Sequence, residues 1–77
     1  MVCELTCTFI KKSLDAAKAG DYMKALSILI KAKDCQCEEP EVQLYIHLAL
    51  DEFIEQDYDT AMMILRDAVE YCNQIKD

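Results

Sequence analysis

The sequence repeats itself at an offset of 36 residues, and this duplication constrains the fold more than any other feature. Aligned without a gap, the two copies carry the same or similar residues at corresponding positions, as an internal repeat should. The matched pairs are Ile10 with Ile46, Leu14 with Leu50, Asp15 with Asp51, Asp21 with Asp57, Tyr22 with Tyr58, Ala25 with Ala61, Ile28 with Ile64, Leu29 with Leu65 and Ala32 with Ala68. Both copies are therefore predicted to form the same structural unit.

Each copy divides into two helices. Its second half carries the i, i+3, i+4, i+7 stripe of an amphipathic helix, beginning at Ala25 and at Ala61. The sequence predicts an all-α fold in a single domain, 1–77, made of two antiparallel helical hairpins, one over about 4–35 and one over about 41–75. The four helices are expected at about 4–19, 22–35, 41–55 and 58–75.

The turn inside each hairpin has its own signals. Asp21 and Asp57 are good N-cap residues, because a carboxylate accepts hydrogen bonds from the free N–H groups of the first turn. Gly20 suits the left-handed residue that ends a helix. Gln56 stands in its place in the second copy, which predicts a slightly strained or differently shaped turn there.

Composition and charge exclude several classes of protein. The chain is 53% hydrophobic with one glycine and one proline, which disfavours disorder, and its net charge is −7 with scattered bases, which argues against nucleic acid or a lipid surface as direct partner. It lacks a membrane-length apolar run and the pattern of a signal peptide, so a cytoplasmic protein is expected. Because so short a chain buries little surface, we expect a protein partner or a homodimer.

The segment 19–25, Ala-Gly-Asp-Tyr-Met-Lys-Ala, followed by Leu29 and Ala32, resembles the turn and second helix of a tetratricopeptide repeat. The second copy, from Asp57 to Ala61 with Leu65 and Ala68, is similar. The period of 36 exceeds the usual ~34 residues, and two repeats make a short array. The resemblance implies a short solenoid. A four-helix bundle and a three-helix domain of the microtubule-interacting-and-trafficking type remain structural alternatives.

In tetratricopeptide proteins the first helix of each hairpin lines a peptide-binding groove. Carried over by position, this groove would be apolar with a basic edge and would hold Ile10, Lys11, Leu14, Lys18, Ile46, His47, Leu50, Phe53 and Ile54. The alternative is that the apolar members pack as the core of a compact bundle. A second candidate surface is the outer side of the last helix, with Met62, Met63, Val69 and Tyr71, since methionines adapt to irregular partners.

Five cysteines in 77 residues are many, and an up-and-down order of helices brings all of them to one end of the molecule. A zinc site built on Cys3, Cys7, Cys35 and Cys37, or a disulfide, is therefore conceivable. The spacing matches no recognised zinc motif, and the count is odd. The favoured interpretation is reduced, mostly buried thiols, also at Cys72, with no cofactor.

No enzyme is expected, because His47 is the only histidine and no phosphate-binding glycine loop exists. The leading hypothesis is an adaptor or chaperone-like module that binds an apolar or amphipathic segment of a partner, or pairs with itself, while Lys11 and Lys18 face an acidic partner edge. The first alternative is a small acidic phage-type inhibitor, anti-CRISPR-like, that blocks a basic nucleic-acid-binding complex. The second is a cysteine-based zinc or redox sensor.

Overall fold

The computed structural model describes residues 4–35 and 37–75, and these residues form four helices and no strand. The helices are α1 (Glu4–Lys18), α2 (Tyr22–Asp34), α3 (Pro40–Ile54) and α4 (Tyr58–Ile75). Each boundary lies within one residue of the predicted one. The prediction of an all-α fold built from two helical hairpins is confirmed, since α1 packs against α2 and α3 against α4.

The four helices pack as a ring. Besides its hairpin partner, α1 contacts α4 and α2 contacts α3, whereas the pairs α1 with α3 and α2 with α4 lie on the diagonals and scarcely touch. In a solenoid the first helices of successive hairpins lie side by side, and the last helix does not return to the first. Of the three arrangements that the sequence left open, a three-helix domain does not fit the four helices described, and the contacts favour the four-helix bundle over the solenoid.

The core repeats with the same offset as the sequence. Nine residues of the first hairpin are buried, and eight of their nine counterparts 36 positions later are buried as well. The exception is Glu52, which is half-buried where the first hairpin has Ala16. The buried pairs are Thr6 with Val42, Ile10 with Ile46, Ser13 with Ala49, Leu14 with Leu50, Ala17 with Phe53, Ala25 with Ala61, Leu29 with Leu65 and Ala32 with Ala68. The two hairpins therefore contribute equivalent halves of one core.

The two hairpin turns have the same shape. Gly20 (φ +85°) and Gln56 (φ +65°) are both left-handed. The following aspartate, Asp21 or Asp57, donates its N–H to the carbonyl five residues earlier, at 3.0 and 2.9 Å, as in a Schellman motif. Its carboxylate then accepts from the N–H three residues later, at 3.2 and 3.3 Å, which confirms both N-caps. Of the two predicted alternatives for the Gln56 turn, strain or a different shape, the structure has the first.

One polar contact inside the first hairpin has no equivalent in the second. The buried hydroxyl of Ser13 donates to the carbonyl of Ala25 at 2.7 Å and joins α1 to α2. A buried hydroxyl needs such a partner, because an unpaired one would lose its hydrogen bonds to water without compensation. Ala49 is the counterpart of Ser13, and it is also fully buried.

Candidate binding cleft

The apolar residues predicted to line a groove between the first helices are buried instead. None of the five is more than 9% exposed, and they are Ile10, Leu14, Ile46, Leu50 and Phe53. Because α1 and α3 lie on a diagonal of the ring, their apolar faces meet α2 and α4 inside the bundle and form no open concave surface. The burial of these five residues agrees with the alternative interpretation, in which they pack as the core of a compact bundle.

The other predicted site residues lie at the surface but on different faces. Lys11 and Lys18 are exposed on α1, and His47 and Ile54 are exposed on α3. On α4, Met63 is exposed, while Met62 and Val69 are half-buried against the core.

Tyr71 belongs to the proposed outer surface of α4, but it makes contacts inside the protein. Its hydroxyl donates to the carboxylates of Glu39 (3.1 Å) and Glu41 (3.3 Å), and its ring centroid lies 6.0 Å from that of Tyr45. Burial and the two carboxylates raise the pKa of Tyr71 to about 12. Tyr71 therefore fastens α4 to the start of α3.

A cleft of about 200 Å³ opens between the first turn of α2 and the last turn of α3. Seven residues line it: Tyr22, Met23, Leu26, Phe53, Ile54, Gln56 and Tyr58. Two of them, Phe53 and Ile54, were predicted as groove residues. The cleft thus includes two of the five α3 residues predicted for the groove, and its other wall comes from α2 and the start of α4 instead of α1.

The cleft has aromatic walls and an apolar rim. The rings of Tyr22 and Tyr58 stack with centroids 4.0 Å apart and planes 4° apart, and Phe53 lies 6.1 Å from Tyr58. On the rim, Met23 is 77% exposed and Ile54 is 70% exposed, the highest values among the large apolar side chains that the structure describes. Such exposure next to a concave aromatic surface marks a candidate binding site.

The duplication shows that the fold does not require this apolar rim. The counterpart of Met23 is Asp59, and the counterpart of Ile54 is Lys18. The backbone around the two sets of positions is equivalent, so charged side chains are tolerated at both places. Only one of the two equivalent corners of the bundle is apolar.

Four carboxylates lie in the sequence next to the residues that α3 and the second turn contribute to the cleft, although none of the four lines it: Asp51, Glu52, Glu55 and Asp57. The pKa of Glu52 is raised, first by burial and then by the charges of Glu55, Asp57 and Asp51. Three of these acids lie in or just after the last turn of α3, where the negative end of the helix dipole disfavours negative charge. This cluster therefore does not stabilise the helix that carries it.

The cysteines meet at the opposite end of the bundle. Cys7 of α1 and Cys72 of α4 form a disulfide with their Cα atoms 6.0 Å apart, and Cys37 is disulfide-bonded as well, whereas Cys35 has a free thiol. The prediction of reduced thiols is wrong for the bonded cysteines, because the ring brings the start of α1 against the end of α4. Cys3 lies outside the described residues, within which no three metal-ligating side chains converge.

This disulfide bears on the expected compartment. Disulfides persist in oxidising environments and are rare where thiols are kept reduced. The disulfide between Cys7 and Cys72 is favoured in an oxidising environment, whereas the predicted cytoplasmic location is a reducing one. Within the described residues, no helix has both the length and the apolarity needed to cross a bilayer.

The sequence-based prediction missed the residues that α2 and the second turn contribute to the cleft. A signal for them existed, since Met23 against Asp59 and Ile54 against Lys18 are mismatches within an otherwise regular repeat. Comparison of the chain with protein-family models, curated proteins and solved structures gives no match.

Proposed function

We propose that this chain is a non-enzymatic protein-interaction module, of the adaptor or chaperone-like kind, that binds an apolar part of a partner protein in the cleft between α2 and α3. The observation that carries the proposal is the exposed pair Met23 and Ile54 beside an aromatic wall, at positions whose counterparts are charged. Burying each of these side chains against a partner contributes about 1.5–3 kcal/mol.

The strained residue of the second turn supports the same site. Gln56 lines the cleft and holds a left-handed backbone, whereas its counterpart is glycine, the residue that adopts this conformation without strain. Backbone strain that a simple substitution would relieve is often found at functional sites. We therefore assign the side chain of Gln56 a polar contact with the bound segment.

The tetratricopeptide-like origin of the hairpins is part of this proposal. Its support is the segment 19–25 and its copy, the Schellman turns, and the small buried alanines Ala25, Ala32, Ala61 and Ala68, which let helices approach closely. The proposed mode of binding differs from that of such repeats, because α2 and α3 form the cleft and α1 and α3 do not.

Point substitutions on the rim test the proposal without disturbing the core. The probe is a synthetic amphipathic helical peptide with a leucine stripe, titrated into the isotope-labelled protein and followed by NMR. Ile54→Glu should weaken binding about tenfold or more, since the lost contact is worth at least ~1.4 kcal/mol. The matched control is Leu44→Glu, on the same helix, at a 56% exposed side chain outside the cleft.

The control should bind within about twofold of the wild type. Equal losses in Ile54→Glu and Leu44→Glu, or no loss in either, would contradict binding in the cleft. Circular dichroism checks that both variants remain helical. Leu50 is unsuitable for this test, because it is only 9% exposed and a charge there would disrupt the core.

The second candidate function is the acidic inhibitor of a nucleic-acid-binding complex. It is favoured by the concentration of acids in the second half, where residues 36–77 hold eleven acids and two bases. Such an inhibitor presents its carboxylates in place of phosphates, so its affinity should fall steeply as salt rises. Ile54→Glu should leave that affinity intact, which separates the two functions.

A further inference from the structure

We infer that the segment bound in the cleft is a cationic one, an amphipathic helix that carries lysine or arginine beside its apolar anchors. This inference rests on the proposed function, because it specifies the partner of the same cleft. It differs from the partner expected from the sequence, whose acidic edge was to face Lys11 and Lys18. Both lysines lie on α1, which contributes no residue to the cleft, whereas Glu52 and Glu55 are direct sequence neighbours of the lining residues Phe53, Ile54 and Gln56.

The first argument is the charge on the α3 side of the rim. Ile54 lies in a segment that also carries Asp51, Glu52, Glu55 and Asp57. Burial, and then the charges of the other three acids, raise the pKa of Glu52, so these carboxylates lie close to it. An apolar anchor that docks beside Ile54 must place its neighbouring residues next to these carboxylates. Basic neighbours gain from that position, and acidic ones are repelled.

The second argument is that the fold does not need two of these acids, Glu52 and Glu55. The counterparts of Glu52 and Glu55 in the first turn are Ala16 and Ala19, and the same Schellman hydrogen bonds form there. Neutral side chains therefore suffice for the turn. Glu52 and Glu55 do not cap α4, and their charge is unfavourable at the negative end of the α3 dipole. A positive charge on the partner would account for them.

The third argument excludes a second copy of this chain as the occupant. Two copies that met through their clefts would bring both groups of carboxylates together around the same apolar contact. Like charges brought together at a desolvated interface oppose association. Residues 1–35 hold six bases and four acids, and all six bases lie on α1 and α2. None of the six lines the cleft, including Lys24 in the first turn of α2.

The test uses two synthetic helical peptides that share one leucine stripe and differ only in their flanking residues, which are lysine in one and glutamate in the other. Affinities for the full chain are measured by fluorescence anisotropy at low and at high salt. The lysine peptide should bind at least about tenfold more tightly at low salt, and the preference should shrink as salt screens the charges.

Two triple variants with the same change in net charge locate the effect. The first neutralises acids beside the cleft, Glu52→Gln, Glu55→Gln and Asp51→Asn. The second neutralises exposed acids elsewhere, Glu4→Gln, Asp67→Asn and Glu70→Gln. The first should lose most of the preference for the lysine peptide, whereas the second should keep it.

The outcomes separate this inference from the function on which it rests. Equal binding of both peptides, lost in Ile54→Glu, would overturn the cationic partner and leave the cleft as a binding site. Equal effects of the two triple variants would reduce the preference to general charge attraction and overturn the inference as well. A dimer in sedimentation that Ile54→Glu dissolves would make a second copy the occupant. If neither peptide binds, the proposed function is refuted, and the inference that rests on it is refuted with it.

Discussion

Replacing Gln56 by glycine tests the strain in the second turn, because glycine occupies the equivalent position of the first turn, Gly20. Both residues are left-handed, with φ of +65° for Gln56 and +85° for Gly20. This conformation costs an L-residue about 1–2 kcal/mol. Glycine loses about 0.5–1 kcal/mol more backbone entropy on folding. The difference gives a net stabilisation of about 0.5–1 kcal/mol for Gln56→Gly, or about 4 °C in the melting temperature of a domain of this size.

The assay is urea and thermal unfolding followed by circular dichroism, with two matched controls. Gln56→Ala removes the side chain but keeps the strain, so it should not gain stability. Gly20→Ala introduces the strain in the first turn, where an added Cβ meets no atom within 4 Å, so only the backbone term is lost, about 0.5–1 kcal/mol. The reasoning is refuted if Gln56→Gly is no more stable than Gln56→Ala. A stabilised Gln56→Gly that also binds the peptide probe less tightly would link the strain to the cleft.

Three further predictions concern the core and its charges. Replacing Cys7 and Cys72 by alanine removes a disulfide between residues 65 apart in the sequence. Under oxidising conditions the free energy of unfolding should fall by about 4 kcal/mol relative to wild type, and this difference should vanish in reductant. Ser13→Ala removes a buried hydrogen bond, so its free energy of unfolding in urea should be about 1 kcal/mol lower than that of the wild type. The variant should still fold, because alanine already occupies the equivalent buried position, Ala49. Folding raises the pKa of Glu52 above its ordinary value of 4.5, so the folded protein favours the protonated side chain. Its contribution to stability is therefore present below pH 4.5 and is lost as the pH rises through the folded-state pKa. Glu52→Gln should therefore raise the melting temperature at neutral pH and not at pH well below 4.5, and an equal gain at both would contradict the sign.

The helices and their turns were predictable because their signals are local. The apolar stripe of each second helix, the aspartate caps and Gly20 each act over four or five residues, and the observed boundaries follow them. The repeat added the missing signal for the second turn, since Gln56 was recognised as the counterpart of Gly20. The sequence could not decide between a strained turn and a turn of different shape. The hydrogen bonds of the Schellman motif and the N-cap hold Gln56 in the left-handed region despite its cost.

The arrangement of the helices was not predictable from the same signals. A stripe such as Ile10 and Leu14 must be covered, but the stripe does not say by which helix. In a solenoid these residues would face a groove beside α3, whereas in the ring they face the interior between α2 and α4. The disulfide depends on the same choice. Cys7 reaches Cys72 only because α4 closes the ring against α1.

The cleft could not be predicted because it depends on two helices from different hairpins. The duplication nevertheless supports the proposal that the cleft is a binding site. Positions at which both hairpins agree, such as Leu29 and Leu65, are buried in equivalent places and satisfy the fold. Where the hairpins disagree at exposed positions, the fold accepts either residue, and the actual choice must have another cause. Met23 and Ile54 occupy positions whose counterparts are charged, and near Ile54 the acids Glu52 and Glu55 replace the alanines of the first turn. The same backbone arrangement thus carries two different surfaces, and we propose that a partner protein binds the apolar one, which has acids beside it.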